Sequence, residues 1–298
     1  MRPSFGVRGP VATQDLLTEL PPSTVYGSGF RRVMHGVRIG AEQPVDHGTL
    51  TLGYRRRSPR AVFTAHSAAW IWGARIASAA ESVSAGFDGS LPRRRDEVTP
   101  HRLSPGTEVV LAGDYGRTAS PAWTALDLAR ALNRPDSDER RSVAEVDAVL
   151  RWSSCTRAEL LLLLDVVHRL DGLERARRVI ELVRDGVDSP PESELRLIAV
   201  DAGLPAPVVQ CPVRDRAGKV VARLDLGWPE LRAGAEYDGL DHLDRDRQTV
   251  DIRRHNELRD LGWRVLQVNS PMMKGPRAAL IGQLQRVVLG PAPGRLLS

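Results

Sequence analysis

The chain has 298 residues, 42% of them hydrophobic and 27% charged, with a formal net charge of +5. These are the proportions of a soluble globular protein long enough for two ordinary domains, with three small ones possible. No apolar run reaches spanning length and "MRPSFGVRGPVATQDLL" lacks the long apolar stretch of a signal peptide, so a cytoplasmic protein with no membrane partner is expected.

Cys155 and Cys211 are far apart and outside any CxxC spacing, which argues against a disulfide framework or a cysteine zinc site and for two buried free thiols. The basic charge is nearly all arginine, Lys219 and Lys274 being the only lysines, and the abundance of Ala, Arg and Leu points to a GC-rich genome. A pI near 9.7 favours a polyanionic partner, and the modest net charge permits nucleic-acid binding without requiring it.

Residues 11–20, "VATQDLLTEL", predict a short amphipathic helix closed by Pro21-Pro22, and "FRRVMHGVRIG" (Phe30–Gly40) alternates as a β-hairpin or wing does. Only "PPSTVYGSG" lies between them, too rich in proline and glycine for a recognition helix, so residues 1–45 form a degenerate winged-helix-like segment. Residues 46–186 mix short strands and helices. "HSAAWIWGA" (His66–Ala74) predicts a helix, "EVVLAGD" a strand, and "SPAWTALDLARAL" (Ser120–Leu132) a helix with Ser-Pro at its start. "VAEVDAVLRW" and "RAELLLLLDVVHRL" follow as periodic helices, the leucine run Leu160–Leu164 being assigned to core.

"RDGVDSPPESELRL" (Arg184–Leu197) marks the clearest boundary. Beyond it the pattern predicts a helix at 191–203, strands at 207–213, 220–228 and 232–238, a basic helix at 247–262, a strand at 263–269 and a helix at 274–288. The order is αβββαβα, so the whole chain belongs to the α/β (α+β) class.

"AEYDGLDHLDRD" concentrates acids in this last region. Asp225 lies inside the apolar run "VVARLDLGW", where a lone carboxylate is costly, and Glu236 sits on the next strand. Asp238 is two residues on, on the same face as Glu236 by strand alternation. Carboxylates converging across a hairpin repel unless a cation lies between them, and Mg²⁺ or Mn²⁺ takes oxygen ligands. Asp225 and Glu236 are therefore the candidate metal ligands. Asp241, Asp244 and Asp246 suit the start of the basic helix. Asp238, Asp241 and Asp244 are three apart, a spacing that does not fit a calcium loop.

"RLDLGWPELRAGAEYDG" followed by "DIRRHNELRDLGWRVLQV" resembles the very-short-patch-repair (Vsr)-like branch of the PD-(D/E)XK endonuclease superfamily, over about residues 187–290 of a C-terminal domain at 187–298. The resemblance implies a restriction-endonuclease-like αβββαβ domain that hydrolyses DNA phosphodiesters with Mg²⁺ or Mn²⁺. It assigns the motif acids to Asp225 and Glu236, a first-helix acid to Glu192 and a histidine to His242. Asp238 stands where the superfamily carries a Lys, a departure that leaves catalytic competence open. Arg253, Arg254 and Arg259 of the basic helix are the candidate DNA contacts, with pairing to Asp251 and Glu257 as the competing reading.

"FRRVMHGV", "TAHSAAWIWG" and "GRTASPAWTALDLA" resemble the AbiEi-family antitoxin module of type IV toxin–antitoxin systems, common in actinobacterial proteins. Three functions stay open at this point. They are a metal-dependent endonuclease, a non-catalytic DNA-binding or antitoxin-like regulator on a nuclease scaffold, and a protein-interaction module with a toxin or defence-system partner.

Overall fold

The computed structural model describes residues 9–130, 139–239 and 245–290, and of residues 245–252 the backbone alone. The chain divides into two compact units, Met1–Glu181 and Leu182–Ser298. Both combine helices with antiparallel or mixed sheets, so the class is α/β in the broad α+β sense.

The first unit opens with strand β1 (Val11–Ala12), helices α1 (Thr13–Glu19) and α2 (Pro22–Val25), and the hairpin β2 (Phe30–Met34) and β3 (Val37–Gly40). The sheet order is β1-β3-β2. The alternation of "FRRVMHGVRIG" becomes burial: Phe30, Met34, Val37 and Ile39 point inward, and Arg31 and Arg32 outward. Between helix α1 and the hairpin the chain forms only α2, of 4 residues. Pro22 sets its first turn and "YGSG" ends it, leaving no length to lie in a major groove.

Next come α3 (His47–Arg57), β4 (Val62–Phe63), α4 (Ala65–Ile71), β5 (Val83–Phe87), β6 (Val98–Arg102), β7 (Val109–Ala112) and β8 (Gly116–Ala119). Their sheet runs β6-β5-β4-β8-β7. Met34 and Val37 of the small sheet share one hydrophobic core with Leu50 and Tyr54 of α3 and with Phe63 and Val83 of the larger sheet. Helices α5 (Pro121–Arg130), α6 (Glu139–Trp152), α7 (Arg157–Val166) and α8 (Leu173–Leu182) follow.

Helix α7 corrects the assignment of its leucines to core. Leu160 and Leu164 are buried, whereas Leu161 is 37% and Leu162 67% exposed. At 100° per residue, consecutive leucines cannot share a face, and only the pair four apart turns inward. A capping box, Thr156 with Glu159, fixes where the helix begins.

The second unit contains α9 (Pro190–Asp201), β9 (Val208–Arg214), β10 (Val220–Trp228), β11 (Ala233–Asp238), α10 (Arg245–Asp260), β12 (Arg264–Asn269), α11 (Ser270–Lys274) and α12 (Arg277–Leu289). Its sheet is ordered β12-β11-β10-β9. Strands β9, β10 and β11 are successively antiparallel, and β11 and β12 are parallel, with α10 as their crossover. The expected order recurs with one addition, the short α11. Asn269 caps it by accepting the Met272 amide, and Gly275-Pro276 separate it from α12.

Two cores hold this unit. Leu195 and Ile198 of α9 and Leu280 and Leu284 of α12 pack with Leu226, Trp228, Ala233, Ala235 and Val268. Cys211, Val213, Ala222 and Leu224 pack instead with Leu258 of α10. Leu224 and Leu226 are two residues apart, yet they enter different cores. The change of side falls at Asp225. Opposite it on β9, between the pairs Leu224–Cys211 and Leu226–Val209, lies Gln210, whose φ of 48° is left-handed. Two glycines make room for the crossing side chains. A Cβ on Gly227 would meet Cys211 Sγ at 2.4 Å, and one on Gly234 would meet Leu224 Cδ1 at 2.5 Å.

Candidate functional site

Acids from three elements of the second unit lie near the change of side at Asp225. Glu192 lies in the first turn of α9, after the N-cap Ser189 and two prolines. Its Oε1 accepts from Ser189 Oγ at 2.8 Å, and its Oε2 from the Asp188 amide at 3.1 Å and Gln210 Nε2 at 3.3 Å. These bonds tie the carboxylate back onto the residues just before the helix and onto β9. Glu192 is only 8% exposed, and burial first, then the Asp225 charge, raise its carboxyl above the usual range.

Asp225 is partly buried on β10. The β10–β11 ladder is paired as far as Leu226–Ala235, and one step on Asp225 stands opposite Glu236. There its side chain replaces the ladder, Oδ2 accepting the Tyr237 amide at 2.7 Å. Burial raises the Asp225 carboxyl and the Asp188 charge adds to this, while the Tyr237 amide, the Arg254 charge and Gln210 act in the opposite direction.

Glu236 is 8% exposed. Arg254 of α10 pairs with its Oε1, and Gln267 Nε2 donates to its Oε2 at 2.6 Å. Gln267 is the register partner of Glu236 on the parallel strand β12. The same amide nitrogen lies 2.7 Å from His255 Nε2; an amide nitrogen only donates, so the ring nitrogen is the acceptor. Gln210, Asp225, Glu236 and Gln267 thus form a row across the four strands, two acids flanked by two amides.

The other sequence candidates fall differently. Asp238 ends β11 exposed, opposite Asn269. His242, Asp241 and Asp244 lie outside the described residues, as does the side chain of Asp246. Arg253 and Arg259 are exposed, Arg259 donating to Asn256 Oδ1 at 2.8 Å. Arg254, expected beside them on a DNA-facing surface, is instead turned onto Glu236, because adjacent helical residues diverge by about 100°.

Gln210, Gln267, Asp188, His255 and the inward role of Arg254 were not singled out from the sequence. The two glutamines become visible only once strand register is known. That register comes from packing, and no local motif announces it.

Among the described residues no group of three or more His, Cys, Asp or Glu side chains is placed to hold a metal ion. The donor chemistry nevertheless suits a hard cation: Glu192 and Asp225 share the Gln210 amide, and Glu236 lies on the next strand. Arg254 occupies the Glu236 carboxylate, so a cation would have to compete with it.

No helix among the described residues is long and apolar enough to cross a membrane. No family model matches the chain, and no solved structure matches it. Two curated Mycobacterium tuberculosis proteins, "Uncharacterized protein Rv2248" and "Uncharacterized protein MT2308", are 35% identical to it over 155 residues, 51% of this chain and 55% of each relative. The chain therefore spans about half the length of the curated relatives it matches.

Proposed function

We propose that the second unit is a metal-dependent DNA endonuclease-like domain of the Vsr-like PD-(D/E)XK type, joined to an AbiEi-like antitoxin module and acting in the cytoplasm. The observation that carries this is the meeting of Glu192 and Asp225, distant in sequence, at one amide: Gln210 donates to Glu192 Oε2 at 3.3 Å and also bonds Asp225. Folding alone does not require such an arrangement, and perturbed carboxylates gather at functional sites.

Asp225 and Glu236 would hold Mg²⁺ or Mn²⁺, with Glu192 beside them. The ion would supply Lewis-acid activation of water and charge neutralisation at a phosphate. The protein's own part is positional. The Tyr237 amide fixes Asp225, Gln267 fixes Glu236, and Gln210 spans Glu192 and Asp225. The exposed Arg253 and Arg259 would meet the phosphate backbone, with Asp238 at the rim.

A second reading, a non-catalytic DNA-binding regulator, draws on Asp238 in the place of a Lys and on Arg254 already neutralising Glu236. The deciding experiment incubates the purified chain with plasmid and single-stranded DNA in Mg²⁺, Mn²⁺ or EDTA, beside Asp225→Ala and Glu236→Ala. Metal-dependent nicking lost in both variants is the expected result. Salt-sensitive binding without cleavage selects the regulator, and neither activity leaves a protein-interaction module.

A further inference from the structure

We propose that Arg254 is the resident counter-ion of the acid site: it holds Glu236 in the cation-free protein, gives way when a divalent cation binds, and then serves as the guanidinium that meets the scissile phosphate. The gating half stands on the contacts alone. The phosphate half rests on the nuclease reading.

Arg254 pairs with Glu236 Oε1 from one side while Gln267 Nε2 holds Oε2 from the other. Glu236 is therefore kept in place by Gln267 after Arg254 departs. A divalent cation and a guanidinium cannot share one carboxylate oxygen without strong repulsion at such range, so binding of one displaces the other. The guanidinium is also incompletely satisfied where it lies. Its Nε is buried and has no hydrogen-bond partner among the described residues. That unmet donor weakens the cation-free pose and is available to a phosphate oxygen once the side chain swings out.

Position supports the second role. On β11 the residue two after Glu236 is the exposed Asp238, so the strand offers no cation of its own. Arg254 reaches the acids from α10 instead, and its planar fork suits a phosphate. It would act as a positioning group for Glu236 before the cation binds and as a phosphate contact afterwards.

The test uses the full chain and Mn²⁺ alone, followed by loss of the free-ion electron paramagnetic resonance signal, on wild type, Arg254→Met, Arg254→Gln and Arg254→Lys. Thermal melting of each variant confirms folding, and Gln serves if Met does not fold. Removing the competitor is expected to tighten Mn²⁺ binding about tenfold in the Met and Gln variants, the scale of changes beside metal ligands. Nicking at saturating Mn²⁺ is expected to fall about a hundredfold in the same variants and to recover partly in Arg254→Lys, as for loss of a charge stabiliser. Unchanged or weaker Mn²⁺ binding in the neutral variants overturns the gate, as does a chain that binds no Mn²⁺ even without Arg254. Full nicking by Arg254→Met overturns the phosphate role. A wild type that binds Mn²⁺ but cuts nothing defeats the nuclease reading, and the titration still judges the gate.

Discussion

Each unit of the protein buries charge, and the two do so differently. In the first, Arg130 is buried and held on several sides: Nε donates to the Asp171 carbonyl at 2.7 Å, and Nη1 to Ser104 Oγ at 3.0 Å and Asp127 Oδ1 at 3.2 Å. One cation meets the Asp127 carboxylate and feels the Asp171 charge, and backbone and hydroxyl oxygens add to the shell. In the second, Glu192, Asp225 and Glu236 meet a single described guanidinium, Arg254, and the rest of the balance comes from neutral donors, Gln210, Gln267 and the Tyr237 amide. The first arrangement is what a core needs to tolerate a charge. The second carries negative charge beyond what its partners neutralise, which packing alone does not explain.

Removing charge should therefore have opposite effects in the two places. Arg130→Met strands Asp127 and the Asp171 carbonyl, and should cost about 3–5 kcal/mol in urea unfolding, as for one-sided loss of a buried pair. Asp225→Asn keeps an acceptor for the Tyr237 amide and removes the repulsion on Glu192. It should stabilise by about 1 kcal/mol while abolishing any nicking, the usual exchange at a functional site. Equal destabilisation by both variants would erase the contrast and make the acid row an ordinary structural network.

The pH dependence of stability sharpens the comparison. Burial outweighs the Arg130 charge and raises Asp127 from 3.8 to about 6. A raised carboxyl favours folding when protonated, so its contribution is complete below about pH 4 and is lost as pH rises through about 6. Between these limits wild type should lose up to about 3 kcal/mol that Asp127→Asn does not, since one pKa unit is about 1.4 kcal/mol. Glu192 and Asp225 are raised too, so they have the same sign and their neutral variants should flatten the curve in the same sense. Urea unfolding at several pH values between 4 and 8 reads both. An Asp127→Asn curve parallel to wild type would mean that the acid is not the titrating group.

Asp225 was legible in the sequence because an acid inside "VVARLDLGW" breaks an apolar run, and the element order of the second unit was legible from its alternation and periodicity. Glu192 was visible only through its family resemblance, since a first-turn acid is common in any helix. The pairing of Arg254 with Glu236 was not legible, because three arginines on one helix look alike in a sequence and one step of the helix decides which turns onto the acid. The glutamines carried no signal at all. An amide on a half-exposed strand is unremarked until the neighbouring strands bring acids alongside it.

Gln210 offers the finest test of how firmly the acid row is held. Its φ of 48° is a left-handed conformation that costs a non-glycine residue about 1–2 kcal/mol. Gln210→Ala and Gln210→Gly both remove the amide that reaches Glu192 and Asp225. Alanine keeps the backbone strain, whereas glycine releases it and adds about 0.5–1 kcal/mol of unfolded-chain entropy. In most strand positions glycine is the worse choice, so the order should invert here, with Gln210→Gly at least ~0.5 kcal/mol the more stable variant. If alanine proves more stable, the turn at Gln210 is relaxed, and the change of side at Asp225 is ordinary strand geometry. If glycine wins, the wild-type chain keeps a strained residue where an unstrained one would fold better, and the amide bridging Glu192 and Asp225 is the reason it is kept.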